Sequence, residues 1–356
     1  MAKQKVLVLY GGRSTEHEIS CRSASFIFKN IDQEKYEVIP VGITKQGRWC
    51  LQDAGQVFNN QDAVTPLVDS GESLSLLDLF ENPHNESMVV IPVLHGSYGE
   101  DGCTQGLLEL KSLAYVGPGV LGSAIAMDKV IAKKLVALEG VPVVPSVDFR
   151  LEEWQRDEAL LLERMNKELK YPLYVKPANL GSSVGISKVK EPNELKAAVE
   201  LSLSYDDKVL VECGLDVREI EFGALGGYEP KISCPGEVVA RSEFYTYESK
   251  YQDKGSSDVV IPAVLDQEKA EEGRAIAARV FKALNLHGMS RIDLFLEKGT
   301  GQFYFNEANT IPGFTSISQY PLLWKQEGFS GSQLLDELIS HAHKRWASQR
   351  ALKRTY

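Results

Sequence analysis

Two short segments late in the chain, Arg291-Ile292-Asp293 and Asn306-Glu307-Ala308-Asn309, set a guanidinium, two carboxylates and an amide at alternate positions. In extended strands, residues two apart share a face, so Arg291 falls with Asp293 and Glu307 with Asn309. If the two strands pair, three oxygen-bearing side chains and one arginine converge. Hard oxygen donors with open positions suit Mg²⁺ carrying the phosphates of a nucleotide. One carboxylate bridging two such ions would neutralise the charge that accumulates during phosphoryl transfer. A solvated face with one surface salt bridge is the plainer reading. Ile292, Leu294, Phe303, Phe305 and Ala308 at the alternate positions argue against it. They bury the opposite face, and a buried unpaired polar cluster would cost roughly several kcal/mol.

Other segments could complete such a site. The stretch from Lys176 to Gly185, KPANLGSSVG, lies between two predicted strands. Its small residues free backbone N–H groups for an anion, and Lys176 adds a positive charge. A Gly/Ser cluster alone is an ordinary hairpin turn, and no Gly-Lys-Ser/Thr follows it. Pro312-Gly313 makes a turn that could aim the Gly313 N–H at developing negative charge. After the first strand comes Gly12-Arg13-Ser14-Thr15-Glu16-His17-Glu18, where Thr15 and Glu18 fit a helix capping box. That leaves Glu16 at a sheet edge, where a carboxylate could hold an ammonium group. His95 opens a second edge loop that runs to Gly102; a lone histidine there is weak evidence of function. His17, His84, His287, His341 and His343 have no metal-site spacing.

The elements that must carry these residues follow from hydrophobic patterning. Residues 6–10, 36–43, 88–94 and 114–116 read as short apolar strands, with helices at 18–29 and 104–111. Continuous apolar strands separated by helices indicate a parallel sheet wound by helices, which binds ligands beyond the carboxyl ends of its strands. From residue 129 onward the alternation gives way to mixed sheets, with boundaries expected near 128 and 213. Residues 250–262 are polar and contain Gly and Ser, which predicts a loop.

Composition narrows the class. The 356 residues include 39 Lys plus Arg and 49 Asp plus Glu, a net charge of −10, which argues against nucleic acid or an anionic membrane as main partner. The five cysteines never form a CxxC pair, a pattern that suits a reducing cytosol and neither a disulfide framework nor a zinc ribbon. No signal-peptide pattern precedes the first strand and no apolar run approaches a membrane span, so a soluble cytoplasmic protein is expected.

Taken in order, these segments, with Met127-Asp128-Lys129 and Tyr174-Val175-Lys176-Pro177, resemble the D-alanine–D-alanine ligases of the ATP-grasp superfamily, over essentially the whole chain. The resemblance implies an α/β protein: an N-terminal doubly wound parallel-sheet (pre-ATP-grasp) domain, then a two-lobed ATP-grasp domain with mixed sheets. Residues 1–128 would form the Rossmann-like substrate domain and 129–213 the central lobe with its phosphate loop. Residues 214–356 would form the C-terminal lobe, with metal site and lid. It implies an ATP-dependent ligase that joins two D-alanines through D-alanyl phosphate. D-lactate or D-serine as second substrate is the alternative.

By the same resemblance Lys129 and Lys176 would hold ATP phosphates beneath the loop bearing Gly181, Ser182 and Ser183. Glu212, Cys213, Leu215 and Glu219 would take adenine and ribose. Asp293, Glu307 and Asn309 would ligate two Mg²⁺ (or Mn²⁺) ions. Glu16 would bind the first D-alanine's ammonium group, with His95 also at the substrate. Arg291 and Gly313 would stabilise the transition states, and Ser318 with Lys250 would contact the second substrate's carboxylate or the transferred phosphate. A tyrosine at 251, bonded to Glu16 and Ser182, favours the dipeptide product. The resemblance also implies a homodimer in the cytoplasm, with no nucleic-acid or membrane partner.

Overall fold

The computed structural model describes residues 3–60, 68, 71–75, 88–240 and 257–353. Its first unit comprises β1 (Gln4–Gly11), α1 (His17–Asn30), β2 (Tyr36–Ile43), β3 (Trp49–Leu51), α2 (Ala54–Asn59), β4 (Glu72–Ser73), β5 (Val89–Pro92), α3 (Cys103–Leu110), β6 (Ala114–Tyr115) and α4 (Val120–Met127). The sheet order is β4-β3-β2-β1-β5-β6, with β2, β1, β5 and β6 parallel and the β3–β4 edge antiparallel. Val6 to Tyr10 are all fully buried, as a central strand covered on both faces requires.

The chain continues through α5 (Lys129–Leu138), β7 (Ser146–Arg150), α6 (Leu151–Glu168), β8 (Leu173–Pro177), β9 (Ser187–Val189), α7 (Pro192–Leu203) and β10 (Lys208–Cys213). These strands form an antiparallel sheet in the order β7-β10-β8-β9. Next come β11 (Val217–Gly226), β12 (Pro230–Ile232), β13 (Gly236–Ala240), β14 (Ser257–Val260), α8 (Gln267–Ala283), β15 (Gly288–Glu297), β16 (Phe303–Asn309), α9 (Gln319–Gln326) and α10 (Gly331–Arg350). The order here is β14-β13-β11-β15-β16, with β12 paired to β11. A parallel bridge from Val143 to Phe305 ties the segment before β7 to β16.

Packing does not follow chain order. Leu334, Leu335 and Leu338 of α10 share a core with Val6, Val8, Tyr10, Ile27 and Phe28, so α1 and α10 cover one face of the first sheet. Leu7, Leu9 and Leu108 pack on its other face. Ala132 and Val136 of α5 join Phe222, Ile292 and Phe305 of the third sheet, while the second sheet keeps a core of its own with α6 and α7. Helix α5 is therefore the floor between the second and third sheets.

Two sequence expectations are corrected. The Thr15–Glu18 capping box does not form: α1 begins at His17 with Glu16 in the N-cap position and no side chain capping it. The Ser14 hydroxyl accepts the Glu16 N–H at 3.1 Å, and Glu18 turns outward to an ion pair with Lys45. Within residues 250–262, Ser257–Val260 is strand rather than loop, because Val259 and Val260 pair opposite Val238 and Glu237. Residues 250–256 lie outside the described residues.

Candidate active site

A cleft opens between the second and third sheets, lined by Lys176 and Glu212 from one and by Glu219, Arg291, Asp293 and Glu307 from the other. Alternation on β8 sends Leu173 and Val175 into the core while Tyr174 and Lys176 line the cleft. The loop after β8 is pinned at its start, where the Asn179 N–H donates to Asp206 at 2.6 Å and the Lys129 N–H to the Ala178 carbonyl at 3.0 Å. Farther along it, Ser182 and Ser183 sit at φ 54° and 60°. Two consecutive non-glycine residues in the left-handed region are costly, and such strain persists only where other contacts hold it. The contact here is the Ser182 hydroxyl, which donates to Glu16 at 2.5 Å.

Cations gather at one end of the cleft. Lys129 is buried; its ammonium donates to the Leu180 carbonyl at 2.6 Å and lies 3.3 Å from Glu307. Lys176 lies 2.6 Å from one Glu212 oxygen, and Lys133 lies 2.8 Å from the other. Burial alone would raise the Glu212 carboxyl, but the two ammonium groups outweigh it and hold the group down at about 2.

On the facing wall the strand pair expected from the sequence is present. Arg291 stands opposite Asn309 and Asp293 opposite Glu307, with a register shift just after Asp293. The Arg291 guanidinium donates to both oxygens of Asp293 at 2.7 Å and lies 2.9 Å from Glu221. Burial disfavours the charge on Arg291, yet these carboxylates more than compensate and raise its affinity for its proton. Glu221 and Asp293 are each only 6% exposed.

A second cavity adjoins the cleft and shares Glu219, Glu221 and Arg291 with it. Gly313 and Ser318 line its far wall. The Ser318 hydroxyl accepts the Thr315 N–H at 3.0 Å and lies 2.7 Å from the Thr315 hydroxyl, which fixes the turn containing Gly313. Glu16 reaches the border from the first sheet, beside Gly96, where a β-carbon would lie 2.8 Å from the Glu16 carboxylate. Gly96 has φ 76°, so both its conformation and the close approach of Glu16 require glycine there.

His95 is buried with both ring nitrogens engaged: Nδ1 at 2.9 Å from the Ile311 carbonyl and Nε2 at 2.8 Å from the Ser23 hydroxyl. A carbonyl can only accept, so Nδ1 carries the hydrogen. Burial lowers the basicity of this ring, which leaves Nε2 to accept from Ser23. Glu100 follows in the same loop and accepts N–H bonds from Gly96 at 2.6 Å and Ile311 at 3.3 Å. Burial first, and then the neighbouring Glu16, raise its carboxyl to about 8.

Asp293, Glu307 and Asn309 supply oxygen donors only, and the Asn309 amide donates to Asp293 at 2.8 Å. Among the described residues no three His, Cys, Asp or Glu side chains form a cage by themselves. An ion here would need further oxygens from elsewhere, as Mg²⁺ does when it carries phosphates. The donor set fits such an ion.

Family comparisons agree with this architecture. Residues 5–118 match the family described as D-ala D-ala ligase N-terminus, and residues 135–340 match D-ala D-ala ligase C-terminus. The D-alanine–D-alanine ligase of Caldicellulosiruptor bescii is 46% identical, covering 99% of this chain and 99% of the relative. The chain belongs to the D-alanine–D-alanine ligase family. Among solved structures, the D-alanine-D-alanine ligase from Coxiella burnetii superposes with a TM-score of 0.84 at 34% identity, over 98% of this chain and 96% of that one. VanG D-Ala:D-Ser ligase from Enterococcus faecalis gives 0.83 at 38% identity, over 96% of this chain and all of the other.

Within this ligase family frame, Lys129, Lys176, Gly181, Ser182, Ser183, Glu212, Cys213, Leu215 and Glu219 line a single cleft together with Arg291, Asp293 and Glu307. Glu16 meets that cleft through Ser182, while Gly313 and Ser318 sit across Arg291. His95 joins α1 to the segment after β16 through Ser23 and Ile311. Lys250 and Tyr251 lie outside the described residues.

The structure adds three residues that sequence reasoning did not assign a role. Lys133 stands one helical turn after Lys129, a spacing that puts both on one face. Glu221 alternates with Glu219 on β11. Glu100 lay in a loop already singled out, but nothing local distinguished it from its neighbour Asp101.

Proposed function

We propose that this protein is an ATP-dependent ligase that joins two D-alanine molecules through a D-alanyl phosphate, giving D-alanyl-D-alanine, ADP and phosphate for cell-wall precursor synthesis. The observation that carries the reading is the pair of adjoining cavities with Arg291 in the wall of both. One is lined by buried lysines suited to polyphosphate, and the other offers both cations (Arg22, Lys29) and hydroxyls (Thr315, Ser318), groups that can hold an amino acid's carboxylate.

A carboxylate is a poor electrophile, so the first D-alanine must be activated. Glu16 would hold its ammonium group, which leaves its carboxylate to attack the γ-phosphorus of ATP as the β,γ-bridging bond breaks. Lys129 and Lys176 would bind the phosphates. Asp293, Glu307 and Asn309 would hold two Mg²⁺ or Mn²⁺ ions, whose charge offsets that of the phosphates. The amine of the second D-alanine, once deprotonated, would add to the acyl carbon, and phosphate would leave. Arg291 and the Gly313 N–H would stabilise the oxyanion of that addition. Ser318 would hold the second carboxylate. Enclosure keeps water from the acyl phosphate.

This reading includes a cytoplasmic homodimer, which family membership supports; sedimentation of the purified chain tests the dimer. Among the described residues no helix is long and apolar enough to cross a membrane. The deciding experiment is phosphate release with MgATP and D-alanine, alone and with D-lactate or D-serine, with products identified by mass spectrometry. D-alanine-dependent release of phosphate with the dipeptide as main product is expected. A depsipeptide or a D-alanyl-D-serine product in its place would overturn the assignment of the second substrate.

A further inference from the structure

Lys133 does not line the nucleotide cleft, yet it is tied to both of the strands that build it. It is 4% exposed, and its ammonium lies 2.8 Å from Glu212 on β10 and donates to the Phe305 carbonyl on β16 at 3.0 Å. The Phe305 ring lies below it at 5.7 Å. The second Glu212 oxygen is 2.6 Å from Lys176, which does line the cleft. Two buried lysines thus share one carboxylate, a cluster with a net charge of plus one. Without Lys133, Glu212 and Lys176 would form a neutral pair, as Lys129 and Glu307 already do, and this end of the cleft would lose its net positive charge. Coulomb interactions are least screened where water is excluded, so the loss would bear on an approaching polyphosphate.

We infer that Lys133 is a positioning residue for the phosphate-binding end of the cleft: it engages Glu212 from behind, leaving Lys176 an uncompensated charge for polyphosphate. Through the Phe305 carbonyl it also anchors β16, which bears Glu307 and Asn309 shortly after that bond, to the strand that bears Glu212. The inference rests on the reading of the cleft as a nucleotide site. It also gives a role to a costly buried ammonium on a helix whose other buried residues, apart from Lys129 in the cleft wall, are the apolar Val130, Ala132 and Val136.

The test compares ADP with adenosine, because only the former carries phosphates. Affinities of the full-length chain for each are measured by calorimetry in wild type, Lys133→Met and the double variant Lys133→Met/Glu212→Gln. The ratio of the two affinities cancels any change at the adenine end. Lys133→Met should weaken ADP about tenfold with adenosine held within about twofold, as expected for quenching one partly screened charge. The double variant restores a net charge of plus one, so its ratio should return to within about threefold of wild type. Should Lys133→Met fail to fold, Lys133→Gln, which keeps an N–H donor but no charge, takes its place with the same expected loss of ADP over adenosine. Equal loss of ADP and adenosine in Lys133→Met, an unchanged ratio there, or a double variant still deficient in ADP, would overturn the inference. Wild-type protein that binds neither ADP nor ATP would instead overturn the nucleotide reading itself.

Discussion

Glu212 and Glu100 stand at opposite ends of the site and show opposite behaviour. Glu212 is the more deeply buried, at 2% exposure, yet its carboxyl is held at about 2. Glu100, which burial also penalises, is instead pushed to about 8. Depth therefore does not order the two. Glu212 has two ammonium groups within ion-pairing distance, whereas Glu100 has backbone N–H donors and the charges of Glu16 and Glu307 nearby. Glu212 is thus compensated by cations, whereas the charges nearest Glu100 are carboxylates.

The strongest way to break this comparison is to remove the shared carboxylate. Glu212→Leu leaves two buried lysines facing each other, and chemical denaturation should show a loss of about 3–5 kcal/mol. A loss below about 1 kcal/mol would mean that the lysines find other partners.

Next in size is Arg291, at the border between the two ends. Arg291→Ala should raise the reaction barrier by about 3 kcal/mol, as for loss of one oxyanion donor, read as a fall in kcat. Wild-type turnover in that variant would remove Arg291 from the chemistry.

The two carboxylates should also leave opposite marks on stability against pH. Glu212 has a lowered folded value, so its contribution is present above the unfolded value of 4.5 and disappears as pH falls toward about 2. Glu100 has a raised folded value, so its contribution is present below 4.5 and is lost as pH climbs to about 8. Glu100→Gln should flatten the decline between those limits by at most about 1.4 kcal/mol per pH unit, one proton's worth. Unfolding midpoints measured from mildly acidic to mildly alkaline buffer check it; an unaltered slope would mean that Glu100 is already ionised at neutral pH.

The smallest effect concerns the link between the ends. Ser182→Ala deletes the bond to Glu16 and should cost about 1 kcal/mol, seen as a few-fold fall in kcat/KM for the amino acid. ADP affinity should fall by less, because the loop's backbone N–H groups would still face the phosphates. An equal loss of ADP affinity would show that the loop responds as one body.

How much of this was legible in the sequence differed by element. Strands β15 and β16 announced themselves, because Ile292, Leu294 and Ala308 alternate with the polar residues and fix which side faces the cleft. The register shift after Asp293 carried no signal, since it arises from pairing and not from any single residue. The capping box misled because a local pattern competed with a tertiary demand: Ser14 takes the Glu16 N–H and frees Glu16 to reach Ser182. Lys133 was visible as a second lysine one turn after Lys129, but its partners come from β10 and β16, far away in sequence. Helix α4, VLGSAIAM, has almost no polar residue to mark a face and so gave no helical period.

The packing of α10 on the first sheet has a consequence for biosynthesis. Tyr36 donates to Asp336 at 2.8 Å, Arg345 donates to the Gly117 carbonyl at 2.6 Å, and leucines of α10 complete the layer over β1. As a ribosome makes the chain from its N-terminus, one flank of that sheet stays covered by α1 alone through some 215 residues of further elongation after β6. The earliest strands to emerge are therefore among the latest to be sealed. Nascent chains stalled before residue 331 should bind a hydrophobic dye or a holdase chaperone, and release it once α10 has cleared the exit tunnel.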